Sequence, residues 1–192
     1  MLAAEREGRL GAARIAIVIV NRDDAGAIAR AEAAGVPVRV MPHKGFLDRA
    51  AYDGALVDAL RAAHVEVIVL AGYMRLVTHV LLSAFPNRVL NIHPSLLPAF
   101  PGLHAQRQAL THGCKVAGCT VHLVDEALDA GPIIAQAAVP VLPTDDEASL
   151  TARILVEEHR IYAEAVRLVA ERRIVLDGRR ASVLPEGLLR AT

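Results

Sequence analysis

The chain has 192 residues, of which 54% are hydrophobic and 3% aromatic, and its formal net charge is zero. This length can bury most of the apolar surface in one core, so we expect a single domain over residues 1–192. The neutral balance excludes a strongly basic or acidic chain, and we predict neither a nucleic-acid nor a membrane partner. No apolar run is long enough to span a membrane, and the polar residues 1–10 are unlike a signal peptide, which predicts a cytoplasmic protein.

The first half of the chain alternates short β-rich runs with longer helical segments. Two of the runs, at residues 14–20 and 65–71, are continuously apolar, as expected of strands that are buried on both faces. In chain order, we predict strands over residues 14–20, 38–41, 65–71 and 88–92, and helices over residues 24–35, 47–63 and 77–83. Because parallel strands need crossover connections, this alternation predicts a parallel sheet covered by helices.

The second half of the chain has a different pattern. Residues 115–124 and 132–141 are strand-like and close in sequence, which favours an antiparallel pair. A long amphipathic helix is predicted over about residues 146–171. A small hairpin should follow it, with strands at residues 174–176 and 181–184. The two halves together predict an α/β fold in which no linker divides the chain.

The residues that best suit catalysis follow the predicted strand at residues 88–92, where ligands of open α/β sheets bind. Asn91 and His93 are two positions apart at a strand end, so both side chains project from the same face. Pro94 ends the strand, and further prolines stiffen the loop beyond it. An amide beside an imidazole suits acyl transfer, because both groups can donate to a developing oxyanion. The motif also fits a polar strand end that is simply capped by a loop.

A third group is needed to orient His93, and Asp129 is the best candidate. It lies in a turn-like segment between the two predicted antiparallel strands. A carboxylate beside an imidazole favours the protonated ring and fixes its orientation. Asp125 and Glu126 are close rivals, and spacing alone does not choose among the three.

The other side chains of catalytic type form no recognisable pattern. Cys114 and Cys119 are interpreted as free thiols without a role, because two thiols do not make a zinc site. The remaining histidines are scattered over predicted loops, helix ends, one strand and the long helix: His43, His64, His79, His104, His112, His122 and His159. None of their spacings matches a metal motif, so no metal is predicted.

Four sequence elements resemble the phosphoribosylglycinamide formyltransferases and occur in that family's order. They are LAGYMRLV at residues 70–77, NIHPSLLPAFPGLHA at residues 91–105, LDAGPII at residues 128–134 and EEHRIY at residues 157–162. The similarity extends from about residue 7 to residue 184, and the fifteen-residue element is too long for chance agreement. It implies a formyltransferase-like, Rossmann-type α/β fold with a mostly parallel sheet and helices on both faces.

The resemblance also implies a reaction and a set of site residues. Family members transfer the formyl group of the co-substrate 10-formyltetrahydrofolate to the amine of glycinamide ribonucleotide in de novo purine biosynthesis, without a metal. The family's catalytic residues fall on Asn91, His93 and Asp129, and a residue that contacts the nucleotide falls on Glu158. The folate site falls on two segments that comprise Met74, Arg75, Leu76, Val77, Val124, Asp125, Glu126, Ala127 and Leu128. The implied partners are these small molecules, bound by a monomer or a homodimer.

The amino-terminal end departs from the family's pattern. Family members begin with a buried strand and a glycine-rich loop that anchors the substrate phosphate, whereas residues 1–10 resemble only the helix that follows. We therefore expect an amino-terminally incomplete formyltransferase domain that lacks this first strand and loop.

Two alternatives follow from that departure. One is a hydrolase similar to formyltetrahydrofolate deformylase, and the other is an inactive folate-binding fragment without the phosphate site. The stretch at residues 101–104 favours the purine enzyme over the deformylase and over methionyl-tRNA formyltransferase, two relatives with the same catalytic trio.

Overall fold

The computed structural model describes residues 1–186, which contain six α-helices and eight β-strands. The helices are α1 (Leu2–Arg6), α2 (Ala27–Ala33), α3 (Arg49–Ala62), α4 (His79–Ala84), α5 (Ala105–Thr111) and α6 (Glu147–Ala170). The strands are β1 (Val18–Val20), β2 (Val38–Val40), β3 (Ile68–Leu70), β4 (Val89–His93), β5 (Val116–Leu123), β6 (Ile133–Pro140), β7 (Ile174–Asp177) and β8 (Arg180–Val183). Each predicted strand and helix is present in the predicted order. None of the described helices is both long and apolar enough to cross a bilayer.

The strands form two sheets within the described residues. β1 and β2 are a parallel pair in which Val18 lies opposite Val38. The other six strands follow the order β3-β4-β5-β6-β8-β7. In this sheet β3 and β4 are parallel, whereas β4 and β5, β5 and β6, and β7 and β8 are antiparallel. The predicted change in pairing between the two halves of the chain is therefore confirmed, and the larger sheet is mixed.

Strand β4 is shared by the two halves of the core. Val89 packs in an apolar cluster with residues of α3 and α4, whereas Leu90 packs in a second cluster with residues of α6. Both side chains are at most 1% exposed. Because successive side chains of a strand point to opposite faces, helices cover the sheet on both sides at β4, as predicted.

Strand β3 begins three residues later than predicted, because the first residues of the apolar run complete the end of α3. His64 has a φ of 54°, and its amide donates to the carbonyl of Arg61. The amide of Val65 donates to the carbonyl of Leu60. These are the two hydrogen bonds of a Schellman motif, so Val65 belongs to the helix cap and the strand ladder starts at Ile68.

Helix α6 is held at its start and along its buried face. Its first turn has a capping box, in which the Asp146 carboxylate accepts from the Ser149 amide and the Ser149 hydroxyl accepts from the Asp146 amide. Further along, the buried Tyr162 hydroxyl lies 2.6 Å from the carbonyl oxygen of Leu70 and 3.1 Å from that of Leu90. This hydroxyl therefore ties α6 to β3 and β4, the parallel strands that lead to the candidate site.

Candidate active site

Asn91 and His93 lie at the carboxyl end of β4, on the strand face opposite the one that packs against α6. His93 is only 5% exposed. The loop beyond it is fixed by the hydroxyl of Thr120 on β5, which donates to the carbonyl of Ser95 and accepts from the amide of Leu97. Strand β5 thereby holds the loop beside His93, in agreement with the rigidity predicted from its prolines.

The ring of His93 lies between two hydrogen-bond acceptors. Its Nε2 donates to the carbonyl of Phe100 at 2.8 Å, and its Nδ1 is 3.3 Å from Oδ2 of Asp129. The same carboxylate oxygen accepts from the amide of Gly102 at 2.8 Å. The carboxylate is within ion-pair distance of Nδ1, so it can pair with this ring when the ring is protonated. The arrangement can therefore hold a positive charge beside Asn91.

Asp129 is the one of the three acidic candidates that reaches His93. Oδ1 of Asp125 instead accepts from the amide of Ala127 within its own loop, and Glu126 is exposed. The backbone φ of Asp129 is 49°, in the left-handed region that Asp tolerates better than most residues. The structure thus brings Asp129, the preferred candidate, next to His93.

Gly131 anchors the end of the loop that carries Asp129. A Cβ at this position would lie 1.8 Å from the carbonyl oxygen of Leu123, so no other residue fits without moving the backbone. The next residue, Pro132, accepts through its carbonyl from the amide of Leu123 at 2.9 Å. The close approach of the two chain segments therefore sets the position of the carboxylate two residues earlier.

His122 is a fourth polar side chain at the site, and no role was predicted for it. It lies opposite Asn91 in the antiparallel ladder and is 2% exposed. Its Nε2 is 3.2 Å from Nδ2 of Asn91 and 3.8 Å from Oδ1 of Asp129, and its Nδ1 is 3.0 Å from the carbonyl oxygen of Leu123. Burial lowers the pKa of His122. The signal that could have found this residue is the register of β4 against β5.

The first predicted folate segment follows β3. Met74 is 74% exposed and Leu76 is 45% exposed, whereas Val77 is buried in the apolar cluster of α3 and α4. The guanidinium carbon of Arg75 lies 5.2 Å from the centre of the Tyr52 ring, within range of a cation–π interaction. Two apolar side chains can therefore contact a ligand here, while Val77 can offer only its backbone.

The second predicted folate segment joins β5 to β6. Val124 packs against the same apolar cluster as Val77, which brings the two segments to the same side of the sheet. Leu128 is 55% exposed, and its Cδ2 would lie 3.6 Å from a Cβ placed on Gly102. The exposed side chain of Leu128 is therefore next to the loop that contacts Asp129.

Glu158 is separate from this group of side chains. It lies on α6, one helical turn before Tyr162, and is half-buried. Burial raises the pKa of Glu158. Since α6 packs on the opposite face of β4 from Asn91 and His93, no hydrogen bond within the described residues joins Glu158 to them.

Two cavities in the described part of the chain lie away from Asn91, His93 and Asp129. One, of about 370 Å³, is lined by residues near the start of β4 and the end of α6, including Arg88. The other, of about 740 Å³, lies between α1 and α2 and includes Arg30. No group of three or more His, Cys, Asp or Glu side chains in that part could hold a metal ion. The candidate site itself is at the strand ends, where open α/β sheets bind ligands.

Comparison with known proteins assigns this arrangement to a family. The sequence pattern of the family described as Formyl transferase matches residues 1–166. The chain belongs to the formyl transferase family. A crystal structure of glycinamide ribonucleotide transformylase 1 from Symbiobacterium toebii has 58% sequence identity and a TM-score of 0.93, over 96% of this chain and 86% of that one. The predicted formyltransferase-like α/β fold and the predicted family resemblance are therefore confirmed.

Curated relatives agree with this assignment. The phosphoribosylglycinamide formyltransferase of Bacillus subtilis is 44% identical over 155 residues, which are 81% of this chain and 80% of that protein. The trifunctional purine biosynthetic protein adenosine-3 of Drosophila melanogaster is 48% identical over 157 residues, which are 82% of this chain but 12% of that protein. The chain thus matches most of the bacterial relative and a small part of the trifunctional one.

Proposed function

We propose that this chain transfers the formyl group of 10-formyltetrahydrofolate to the amine of glycinamide ribonucleotide, in de novo purine biosynthesis. The observation on which the proposal depends is that Asn91, His93 and Asp129 meet beside two loops with exposed apolar side chains. Membership of the formyl transferase family supports the proposal, as do the names of the bacterial relative and the solved neighbour.

In the proposed reaction, the amine nitrogen of the nucleotide attacks the formyl carbon, and the carbonyl oxygen becomes a tetrahedral oxyanion. The side-chain amide of Asn91 donates to this oxyanion, and the positive charge of protonated His93, oriented by Asp129, stabilises it. The intermediate collapses by breaking the bond to N10 of the folate, which takes up one proton while the amine nitrogen loses one. Donors that are ordered before the substrate arrives need no reorganisation in the transition state.

We place the folate between the two loops that meet near Val77 and Val124. Met74, Leu76 and Leu128 would cover the apolar faces of the pteridine, because their side chains are exposed beside the site. Backbone groups of the other predicted residues would pair with the donors and acceptors of the ring: Arg75, Val77, Val124, Asp125, Glu126 and Ala127.

We assign Glu158 to the nucleotide. Its neighbour on α6, Tyr162, contacts the carbonyls of Leu70 and Leu90, so this turn of the helix lies close to the carboxyl end of β3 and to the first half of β4. A half-buried carboxylate there can accept hydrogen bonds from hydroxyl or amine groups. The proposed partners are thus two small molecules, bound in the cytoplasm by a monomer or a homodimer.

The proposal is tested by identifying the products. The purified chain is incubated with 10-formyltetrahydrofolate, with and without glycinamide ribonucleotide, and the mixture is analysed by mass spectrometry for formylated nucleotide and for formate. We expect formylated nucleotide only when both substrates are present, and a much smaller amount from Asn91→Ala. Formate released without the nucleotide would instead indicate a deformylase-like hydrolase. Folate binding without either product would indicate an inactive binding protein, and each of these results would overturn the proposal.

A further inference from the structure

His122 is the buried titratable side chain at the site that the proposed reaction does not use. It lies on β5 directly opposite Asn91 and is 2% exposed. Each ring nitrogen has a polar neighbour: Nδ1 lies beside the carbonyl of Leu123, and Nε2 lies beside the side-chain amide of Asn91. The chemistry of these two neighbours determines which nitrogen carries the proton.

The Leu123 carbonyl selects one tautomer of the neutral ring. Nδ1 of His122 is 3.0 Å from this oxygen, which can only accept, so Nδ1 must carry the proton. A neutral imidazole has a single N–H, and Nε2 is then left as an acceptor. The tautomer is therefore fixed by the backbone of the residue that follows His122.

The tautomer of His122 in turn selects one orientation of the Asn91 amide. Nδ2 of Asn91 is 3.2 Å from Nε2 of His122, so one of its two N–H groups donates to the ring. In the flipped orientation the amide oxygen would face the unprotonated Nε2, and two acceptors would oppose each other. The observed orientation keeps the NH2 group at this position and leaves its second N–H available to another acceptor.

The groups that face His122 determine whether the ring stays neutral. Burial lowers the pKa of His122 and His93 acts in the same direction, whereas the Leu123 carbonyl, Asp129 and Asp125 oppose them. Oδ1 of Asp129 is 3.8 Å from Nε2, but burial has the largest effect on the pKa of His122. The pKa is therefore lowered overall, which favours a neutral ring with an unprotonated Nε2.

We propose that His122 is a positioning residue, which presents an unprotonated Nε2 to Asn91 and so holds the amide with an N–H directed at the developing oxyanion. This inference rests on the proposed function for its kinetic consequence only. The tautomer and the amide orientation are properties of the protein without substrate, so they can be measured separately.

The first experiment uses NMR on the protein without substrate. A long-range ¹H–¹⁵N spectrum distinguishes the two tautomers of a histidine, and the side-chain NH2 resonances of Asn91 can be assigned by comparison with Asn91→Ala. We expect His122 to be neutral with its proton on Nδ1, and we expect the Asn91 NH2 resonances to shift in His122→Gln. The inference would be overturned if the proton were on Nε2, or if the Asn91 NH2 resonances did not shift in His122→Gln.

The second experiment is a double-mutant cycle. We expect His122→Leu to lower kcat by about tenfold or more and to leave the folate KM unchanged, because the oxyanion donor loses its orientation. His122→Gln should recover most of that loss, since its amide oxygen can take the place of Nε2. In the Asn91→Ala background, His122→Leu should have no further effect, because the group that it positions is absent.

Two outcomes would contradict the positioning role. Equal losses from His122→Leu in both backgrounds would mean that His122 acts independently of Asn91. Equal losses from the Leu and Gln variants, both with wild-type thermal unfolding, would mean that the acceptor is not needed. If the wild-type chain formed no formylated nucleotide, the proposed function would fail, while the NMR result would still decide the tautomer and the amide orientation.

Discussion

The strand pair and the loops that meet at the candidate site are built differently. Asn91, His93 and His122 lie on the paired strands β4 and β5, and each contacts at least one fixed group of the fold. Met74 and Leu128 lie on loops, and their apolar side chains are 74% and 55% exposed. The buried strand residues have the precision that charge stabilisation needs, and the exposed loop residues have the accessible area that ligand binding needs. Substitutions in the two regions should therefore affect different kinetic constants.

The largest effect is expected from Asn91→Ala, on the strand side of the comparison. Loss of one oxyanion donor costs about 2.7–4 kcal/mol, which is roughly 10²–10³ in kcat. Single-turnover kinetics with saturating folate measures this change directly. A matched control is Asn21→Ala, because Asn21 also pairs with a histidine, with 3.2 Å between its Nδ2 and Nδ1 of His43. We expect the control to retain its kcat, and a loss below about tenfold in Asn91→Ala would indicate another donor.

Asp129→Asn should lower kcat by about 10²-fold and change the folate KM little, because an amide orients the charged ring less well than a carboxylate. The contrasting variant is Asp125→Asn, which alters the predicted folate segment and should act on KM instead. Steady-state kinetics of both variants, with each substrate varied in turn, checks the difference. A change confined to KM in Asp129→Asn would move this residue from the chemistry to folate binding.

A smaller effect, on folate affinity instead of kcat, is expected from Leu128→Ala in the loop region. The lost apolar contact should weaken folate binding by about 1–2 kcal/mol, or roughly 5–30-fold in Kd, while kcat at saturation stays the same. Fluorescence titration with the folate measures the affinity. Leu47→Ala is the control, since this side chain is 95% exposed and lies outside both predicted segments. A fall in kcat without a change in Kd would contradict the division between the two regions.

The smallest effect concerns Glu158, whose pKa is raised by burial. The folded chain holds this proton more tightly than the unfolded chain, so stability falls as pH rises from the ordinary pKa of 4.5 through the raised value. Glu158→Gln cannot ionise, and we expect it to raise the free energy of unfolding at pH 7 more than at pH 4. Denaturant unfolding at the two pH values measures the gain.

Two further results complete that test. Glu164→Gln, an exposed position on the same helix, should show no such difference between the two pH values. If Glu158 binds the nucleotide, Glu158→Gln should also raise the KM for the nucleotide. A residue that is needed for binding can reduce the stability of the fold, so a more stable variant would then bind less tightly. If Glu158→Gln raised the free energy of unfolding equally at both pH values, the ionised carboxylate of Glu158 would not be what destabilises the fold.

Much of the fold could be predicted from the order of apolar runs, because buried strands and amphipathic helices have distinct periods. The long helix illustrates this, since it spans Glu147–Ala170 with Asp146 and Glu171 as its capping residues, close to the predicted residues 146–171. The start of β3 was misplaced, because the Schellman motif around His64 depends on backbone hydrogen bonds that apolar pattern does not report.

The side chains of the candidate site that lie on one strand could be predicted from their spacing. Those whose position depends on a turn or on the pairing of two strands could not. Asn91 and His93 share a face through their spacing alone. Among Asp125, Glu126 and Asp129, spacing left the choice open, because the choice depends on a left-handed turn that aims one carboxylate at the ring. His122 was missed because its role depends on lying opposite Asn91 in the neighbouring strand.

The close approach of Gly131 to Leu123 has a practical consequence for altering this protein. The loop between β5 and β6 is narrow at its base, where Gly131 meets Leu123, so we expect its length between Gly131 and Asp129 to tolerate no change, while its outer part can be redesigned. If the folate binds at this loop as proposed, libraries that insert or randomise residues around Glu126 and Ala127 should change which folate analogues bind while the proposed turnover is retained. A single insertion between Asp129 and Gly131 would instead shift the carboxylate out of register with the imidazole and yield a binder without catalysis.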